Sequence, residues 1–451
     1  MKQIVMAIDI GSFNISCAIA EVTDGNPRII GVGFAKSQGI RKGAITNIEQ
    51  AARSIKSAIL DAKRMSGAET NRAIISISGV YAKSRNSSGV VTVPSGEIGH
   101  KEIHRVIQAA LHNATIPAEY EAIHILPYQF MVDEQEYVDD PSGMSGSRLK
   151  ALVHIVTAQK TALENLRRVV KAAGIEIENI VLSSYASSIA VLSDDERDLG
   201  VACIDIGGDT CDIMIHSGNS MCYDGILPVG SNHITKDIAH ACNTSPNVAE
   251  DLKINYGDIA SIYDHENSKI LEVPTIGGEK TQQIQCNFLA KVIYARLTET
   301  LGFLYGMIDQ NELKHHISAG IVFTGGLTQL KGLEDLINAF FKDYPTRLAL
   351  PKEVEGMPEE LKNPMCSAVV GLVLYGSGRF TNYEMDSEKR LKTKKNKLLV
   401  EENERFSYPQ SPELKEVGEE FDLFKEPLAD DMKLKKEGIL DKFKKKLVEL
   451  F

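Results

Sequence analysis

One turn is written twice in this chain. Ile8-Asp9-Ile10-Gly11-Ser12-Phe13-Asn14 returns as Ile204-Asp205-Ile206-Gly207-Gly208-Asp209-Thr210. Each copy follows a short apolar run, residues 4–8 and 201–204, and precedes another, residues 15–20 and 211–215. That pattern reads as strand, tight turn, strand. Glycine lets backbone N–H groups approach phosphate oxygens with no Cβ in the way. An Asp at the mouth of each turn cannot bind phosphate itself. It can hold Mg2+, directly or through water, and the Mg2+ can neutralise the phosphates. Two such turns therefore suit a polyphosphate held between two lobes. A lone Asp-x-Gly is usually only a hairpin. Two copies inside the same element order are much harder to obtain by accident.

The repeat extends past the turn. A third apolar run, residues 29–34, is followed by a helical pattern over 48–65. Asn47 and Gln50 form a capping-box pair at its start, and Gly67 lies just past its end. In the second copy, residues 220–229 are the third run and 231–241 the helix. Both halves read strand, strand, strand, helix, which implies two similar lobes with a cleft between them. No G-x-x-x-x-G-K-[ST] occurs, so the phosphate site is not a P-loop.

Between the repeats, residues 84–160 read as an insertion. It has a strand over 90–93, a helix from about 100 to 111, and strand-like runs over 122–132 and 149–156. The first lobe is expected from residues 1–83, 161–198 and 364–384, and the second from 199–238 and 301–363. Residues 239–300 read as a helical and hairpin subdomain of the second lobe. A strand over 317–324 ends in Gly325-Gly326 and leads to a helix over 330–341, a common resting place for a ribose and α-phosphate. A last core helix is expected over 364–377.

The length of 451 residues suggests about three domains. Seven cysteines, odd in number and without a C-x-x-C, are cytosolic usage rather than a disulfide framework or zinc site. Cys203 and Cys211 are expected to fill core positions. The opening Met1-Lys2-Gln3 runs straight into a strand, so no signal peptide is expected. Net charge is −11, which argues against a general nucleic-acid binder.

That charge is unevenly spread. Residues 385–432 are charged, carry Pro409, Pro412 and Pro427, and read as a flexible linker. Beyond them, seven lysines between Lys433 and Lys446 face only Glu437 and Asp441, a balance of 7 − 2 = +5. Around a helical wheel, Ile439, Leu440, Phe443, Leu447, Leu450 and Phe451 share one face, with Lys444 and Lys445 on the other. This is an amphipathic helix suited to an anionic membrane surface. Partial burial of six apolar side chains, at about 1.5–3 kcal/mol each if complete, is offset by ordering the segment at about 1–2 kcal/mol per residue. One tail should attach weakly, and several on one assembly firmly.

Together these features resemble the actin/Hsp70/sugar-kinase superfamily. The segments His124-Ile125-Leu126-Pro127-Tyr128-Gln129-Phe130, Asp140-Pro141-Ser142-Gly143-Met144-Ser145-Gly146, Arg148-Leu149 and Val153-His154-Ile155-Val156-Thr157 narrow the resemblance to the bacterial cell-division FtsA family. The terminal helix resembles that family's membrane-targeting sequence. The resemblance covers residues 1 to about 380 and the last fifteen or so. It implies an α/β, actin-like (ribonuclease H-like) duplicated two-lobe fold with an inserted α+β subdomain. It also implies ATP and Mg2+ as cofactors, self-polymerisation on the inner face of the cytoplasmic membrane, tethering of the tubulin-like protein FtsZ, and recruitment of later division proteins. Carried over by motif, Gly11, Ser12, Phe13 and Asn14 would face the β/γ-phosphates as the first loop, with Gly207, Gly208, Asp209 and Thr210 as the second. Asp9 and Asp205 would hold Mg2+ and its waters and bear any catalysis. Gly325 and Gly326 would contact ribose and α-phosphate, and Glu250 and Lys253 fall where the family has adenosine contacts. Many relatives carry Lys where this chain has Asn14, which brings no charge, so hydrolysis is expected to be slow. A sugar kinase and a pilus-assembly scaffold of the same superfamily are the alternatives; neither accounts as naturally for the tail.

Overall fold

The computed structural model describes residues 2–218, 220–263, 269–277 and 280–394. The first repeat opens with a three-stranded meander, β1 (Lys2–Ile10), β2 (Asn14–Thr23) and β3 (Asn26–Lys36). A small hairpin, β4 (Ile40–Arg41) and β5 (Ala44–Ile45), leads to α1 (Ile48–Ser66) and β6 (Arg72–Ile77). Helix α1 starts where the sequence expects it: the Asn47 side chain accepts the Gln50 amide, and Gly67 ends it in the left-handed region at φ +64°.

The inserted segment follows: β7 (Ala82–Thr92), α2 (His100–Asn113), β8 (Tyr120–Val132), β9 (Gln135–Val138) and β10 (Arg148–Gln159). Its strands form their own antiparallel sheet in the order β7-β10-β8-β9, with a core separate from those of the repeats. Strand β7 is far longer than the expected 90–93. Its polar start, Ser84 to Gly89, reads as loop by composition, yet it pairs in register with β10 as the edge of the sheet. The chain returns through α3 (Lys160–Ala172), β11 (Glu176–Leu182), α4 (Ser183–Val191) and the short α5 (Asp194–Leu199).

The second repeat contains β12 (Val201–Ile206), β13 (Cys211–Ser217), β14 (Ser220–Leu227) and α6 (Ser231–Ala241). Then come α7 (Pro246–Tyr256), the hairpin β15 (Ile270–Pro274) and β16 (Thr281–Gln285), and α8 (Cys286–Asp309). It closes with β17 (Ile321–Thr324), α9 (Leu333–Phe340), β18 (Thr346–Leu348) and α10 (Ser367–Gly376). A boundary at residue 300 does not hold. Helix α8 runs through it, because Leu289, Ile293, Leu297, Leu301, Leu304 and Ile308 make one continuous buried stripe. The helix expected over 330–341 is shorter: residues 326–329 form a 3₁₀ turn, and α9 begins after Gly332. Residues 364–366 likewise form a 3₁₀ turn ahead of α10.

The duplication goes deeper than three strands. The two large sheets have orders β3-β2-β1-β6-β11 and β14-β13-β12-β17-β18. In each, three antiparallel strands are followed by two parallel ones. Helices α4 and α10 follow the fifth strand of their repeats and lie buried between the sheets. Every residue of α10 from Ser367 to Tyr375 is buried, as is α4 from Ser184 onward. A helix apolar all round belongs inside a core. Cys203 and Cys211 are buried as expected.

One correction concerns the linker. Residues 385–394, expected to be flexible, are packed. Met385 is bridged to Ile125 on the free edge of β8, and Glu384, Met385, Asp386 and Ser387 are all buried. Their carboxylates are met by local donors, which composition does not reveal. The rest of the expected linker and the amphipathic segment, including Ile439, Leu440, Phe443, Lys444, Lys445, Leu447, Leu450 and Phe451, lie outside the described residues.

Helices α4 and α10 pack backbone to backbone. A Cβ on Gly371 would stand 1.8 Å from the carbonyl oxygen of Ala186. Gly371→Ala should therefore destabilise the fold by about 1–3 kcal/mol, the usual cost of overpacking. Chemical denaturation of the purified variant checks this; an unchanged midpoint would mean that the two helices can move apart freely.

Candidate functional site

The first turn leaves β1 just after Asp9, and the second leaves β12 just after Asp205. Both open into one cleft of about 850 Å³. Every residue expected at the nucleotide site lines it: Asp9, Gly11 to Asn14, Asp205, Gly207 to Thr210, Glu250 and Lys253 on α7, and Gly325 and Gly326 at the exit of β17. The two turns nearly touch. A Cβ on Gly208 would lie 3.3 Å from Phe13 Cβ. The start of α6 is docked on the second turn, where Ser231 and Asn232 donate their amides to the carbonyls of Gly207 and Gly208 at 3.0 and 2.7 Å.

Three carboxylates share this space. Ser76 Oγ donates to Asp9 Oδ1 at 2.7 Å while accepting the Ile10 amide. Ser187 Oγ, on α4, donates to Asp205 Oδ2 at 2.5 Å. Thr210 Oγ1 donates to Asp212 Oδ2 at 3.1 Å. Burial pushes Asp9 up to about 6; the Ser76 bond opposes this and the charge of Asp205 adds to it. Burial also raises Asp205, against the pull of Ser187. Asp212 is pushed furthest, to about 8, by burial and then by the charge of Asp205.

Other expected side chains are already committed. Asp209 accepts the Lys42 amide at 2.6 Å and the Asn232 side-chain amide at 2.9 Å. Ser12 Oγ accepts the Gly43 amide at 2.8 Å. Both side chains thus brace the hairpin loop between β4 and β5, and the Ser12 hydroxyl, used there only as an acceptor, keeps its O–H for a ligand. Asn14 Nδ2 lies 3.6 Å from Met365 Sδ. Lys253 Nζ donates to Glu250 Oε2 at 2.8 Å and Thr235 Oγ1 at 2.9 Å, and its burial lowers its proton affinity. Gly325 sits at φ +92°, where a Cβ would meet Asp205 Oδ1 at 2.4 Å, so only glycine fits. Gly326 is not so constrained: a Cβ there would only touch Met365 at 3.6 Å.

Sequence reasoning missed Asp212, Ser76, Ser187, Ser231, Asn363 and Met365. Asp212 carried a signal, a charge inside the apolar run of β13. The serines carried none, since they reach the cleft from elements distant in sequence.

Comparison with known proteins completes the site's context. The family described as "Cell division protein FtsA" matches residues 202–371, and "SHS2 domain inserted in FTSA" matches residues 79–157. The cell division protein FtsA of Helicobacter pylori (strain 26695) is 40% identical, covering 86% of this chain and 84% of its own. That of Escherichia coli K12 is 32% identical, covering 86% and 94%. The chain belongs to the FtsA family of cell-division proteins. Its fold is the actin-like two-lobe α/β fold. A PilM–PilN type IV pilus biogenesis complex matches with TM-score 0.60 at 16% identity over 83% of this chain and 98% of that one. MreB5 of Spiroplasma citri, solved with ADP, matches with TM-score 0.51 at 14% identity over 83% and 96%. Among the described residues of this FtsA-family chain, no helix is long and apolar enough to cross a membrane.

The carboxylates set a pH dependence. Above about pH 4 the unfolded chain has released these protons, while the native state keeps one on Asp9 to about 6 and one on Asp212 to about 8. Native stability in metal-free buffer should therefore fall as pH rises from about 5 to 8. Asp212→Asn should abolish that slope above about pH 6 and make it shallower, without abolishing it, below, where Asp9 still contributes. Thermal melting across this range is the measurement; an identical slope in the variant would contradict the assignment.

Proposed function

We propose that the chain is an ATP-binding, actin-like division protein. In this reading it polymerises at the cytoplasmic face of the membrane, tethers the FtsZ ring there through its C-terminal amphipathic segment, and recruits later division proteins. The observation that carries the nucleotide reading is the convergence of two glycine turns, each with a buried carboxylate at its mouth, on one cleft. The absence of a Cβ at Gly11, Gly207, Gly208 and Gly325 leaves backbone free to approach phosphate oxygens.

The residues present fit ATP and Mg2+. Asp9 and Asp205 would hold the ion and its waters, and Asp212 stands beside them. Among the described residues no cluster could cage a metal by itself, so phosphate and water would supply the remaining ligands. Bound Mg2+ supplies the positive charge that lets phosphate and carboxylates share the cleft. The chain's own part is to hold Asp9 and Asp205 through Ser76 and Ser187, and to brace the turns through Asp209 and Ser12. The Glu250–Lys253 pair lines the side of the cleft assigned to adenosine, and Gly325 lets backbone pass close to ribose and α-phosphate. Asn14 offers an uncharged donor, so hydrolysis should be slow.

Calorimetry with ATP in magnesium buffer tests the nucleotide reading. Saturable binding is expected. Gly325→Ala should weaken it at least tenfold by displacing Asp205, and Asn14→Lys should strengthen it roughly tenfold, the worth of a charge-assisted hydrogen bond to phosphate. No heat of binding in folded wild-type protein would sink the reading.

Membership of the FtsA family and the cationic amphipathic pattern of residues 438–451 support the tethering role. Sedimentation with anionic liposomes and FtsZ should carry the full chain and FtsZ into the pellet together. Removal of residues 438–451 should leave both in the supernatant. Pelleting of the shortened chain would count against this segment as the anchor.

A further inference from the structure

The packed residues 383–394 form a strap that joins the inserted sheet to the first large sheet. Met385 exchanges backbone hydrogen bonds with Ile125 at 3.0 Å each, extending the inserted sheet at the edge of β8. Ser387 Oγ accepts the Ile180 amide at 3.1 Å and donates to Asn179 Oδ1 at 2.6 Å, which ties the strap to β11 at the edge of the first large sheet. Asp386 is fully buried and is bound by Asn179 Nδ2 at 3.1 Å and Arg390 Nε at 3.0 Å.

The centre of the strap is Glu384, also fully buried. Three donors meet its carboxylate: His124 Nδ1 and Tyr375 OH at 2.8 Å, and Tyr185 OH at 3.1 Å. The tautomer of His124 is fixed by its other side, where Nε2 accepts the Leu182 amide at 3.1 Å. A buried carboxylate is tolerable only while such donors stay in place. Two of these links end on α4: Leu182 is its N-cap and Tyr185 lies in its first turn. Half a turn further, Ser187 of the same helix holds the Asp205 carboxylate in the cleft. Strap and cleft are thus gripped by one short, buried helix.

We infer that the strap is coupled to the occupancy of the cleft through α4, with Tyr185 as a positioning residue. This rests on the cleft's being the nucleotide site. A bound cation and phosphate draw on Asp205, Ser187 follows, and α4 settles where Tyr185 and the Leu182 amide meet Glu384 and His124. With the cleft empty, the same helix is less constrained and the strap docks less firmly. Coupling between two sites is reciprocal, so loosening the strap weakens the ligand by the same factor.

The test uses the full chain, with ATP and Mg2+ as the probe. Hydrogen exchange of peptides spanning residues 383–394 is measured with and without MgATP, and ATP affinity by calorimetry. Wild-type strap exchange should slow several-fold when MgATP is bound. Tyr185→Phe removes one donor to Glu384. Arg390→Ala loosens the strap from a half-exposed position away from α4, and so guards against a folding defect in the first variant. Both should speed strap exchange and weaken ATP by about 5- to 50-fold, within the usual range of coupling energies. The coupling is overturned if wild-type protein binds MgATP with no change in strap exchange. It is equally overturned if Arg390→Ala frees the strap while ATP affinity stays at the wild-type value. Failure of the nucleotide reading looks different: wild-type protein takes up no ATP at all, and the coupling falls with it.

Discussion

Three carboxylates crowd the floor of one cleft, and the rest of the site answers to that repulsion. Asp9, Asp205 and Asp212 each have a hydroxyl donor, from Ser76, Ser187 and Thr210, but among the described residues no ion-pair partner. Lys253, the buried lysine on the cleft wall, is already spent on Glu250. Hydroxyl donors ease desolvation without neutralising charge, so protons remain on Asp9 and Asp212 well above the usual carboxylate range. In the proposed reading, a divalent cation carried in by a polyphosphate would relieve this arrangement. The electrostatics and the glycine turns thus point to the same class of ligand by independent routes.

Much of this was legible in the sequence because the turn chemistry is local. Asp-x-Gly after an apolar run announces a strand end, and its recurrence with the same flanking elements announces two lobes. The caps of α1 were readable from Asn47, Gln50 and Gly67 alone. What stayed hidden depends on distant partners. Ser76 and Ser187 are ordinary serines until the fold carries them to Asp9 and Asp205. The strap was hidden for a related reason. Glu384 and Asp386 look like the start of a charged linker, and only His124, Tyr185, Tyr375 and Asn179, each far off in the chain, make their burial possible. The polar first half of β7 escaped because an edge strand needs no apolar alternation on its exposed residues.

The two insertions leave the repeated sheets undisturbed. In the first half the inserted sheet enters after the fourth-position strand β6; in the second, α7 to α8 enter before its counterpart β17. Neither interrupts the pairing of the strands that carry Asp9 and Asp205. New surface is added outside the five-strand order, and the register that aims the carboxylates is preserved. This is how a family can acquire its own partners on a common frame.

The duplication also breaks at an informative place. Asp9 faces Ser76 from the neighbouring parallel strand, since Ala7 pairs with Ile74 and Ile8 with Ile75. The matching neighbour of Asp205 is Thr324. Yet Thr324 does not serve Asp205: its hydroxyl is taken by Ser367 Oγ at 2.7 Å and Ala349 O at 3.2 Å. Asp205 is held by Ser187 instead, from a helix of the other repeat. One carboxylate is therefore fixed within its own sheet, and the other is fixed across the boundary between repeats. Relative movement of the two halves would break the hydrogen bond that holds Asp205 and leave that of Asp9 intact. The asymmetry makes the second turn the one able to report where α4 stands, and α4 is packed against α10 at a contact too close for even one added methyl group.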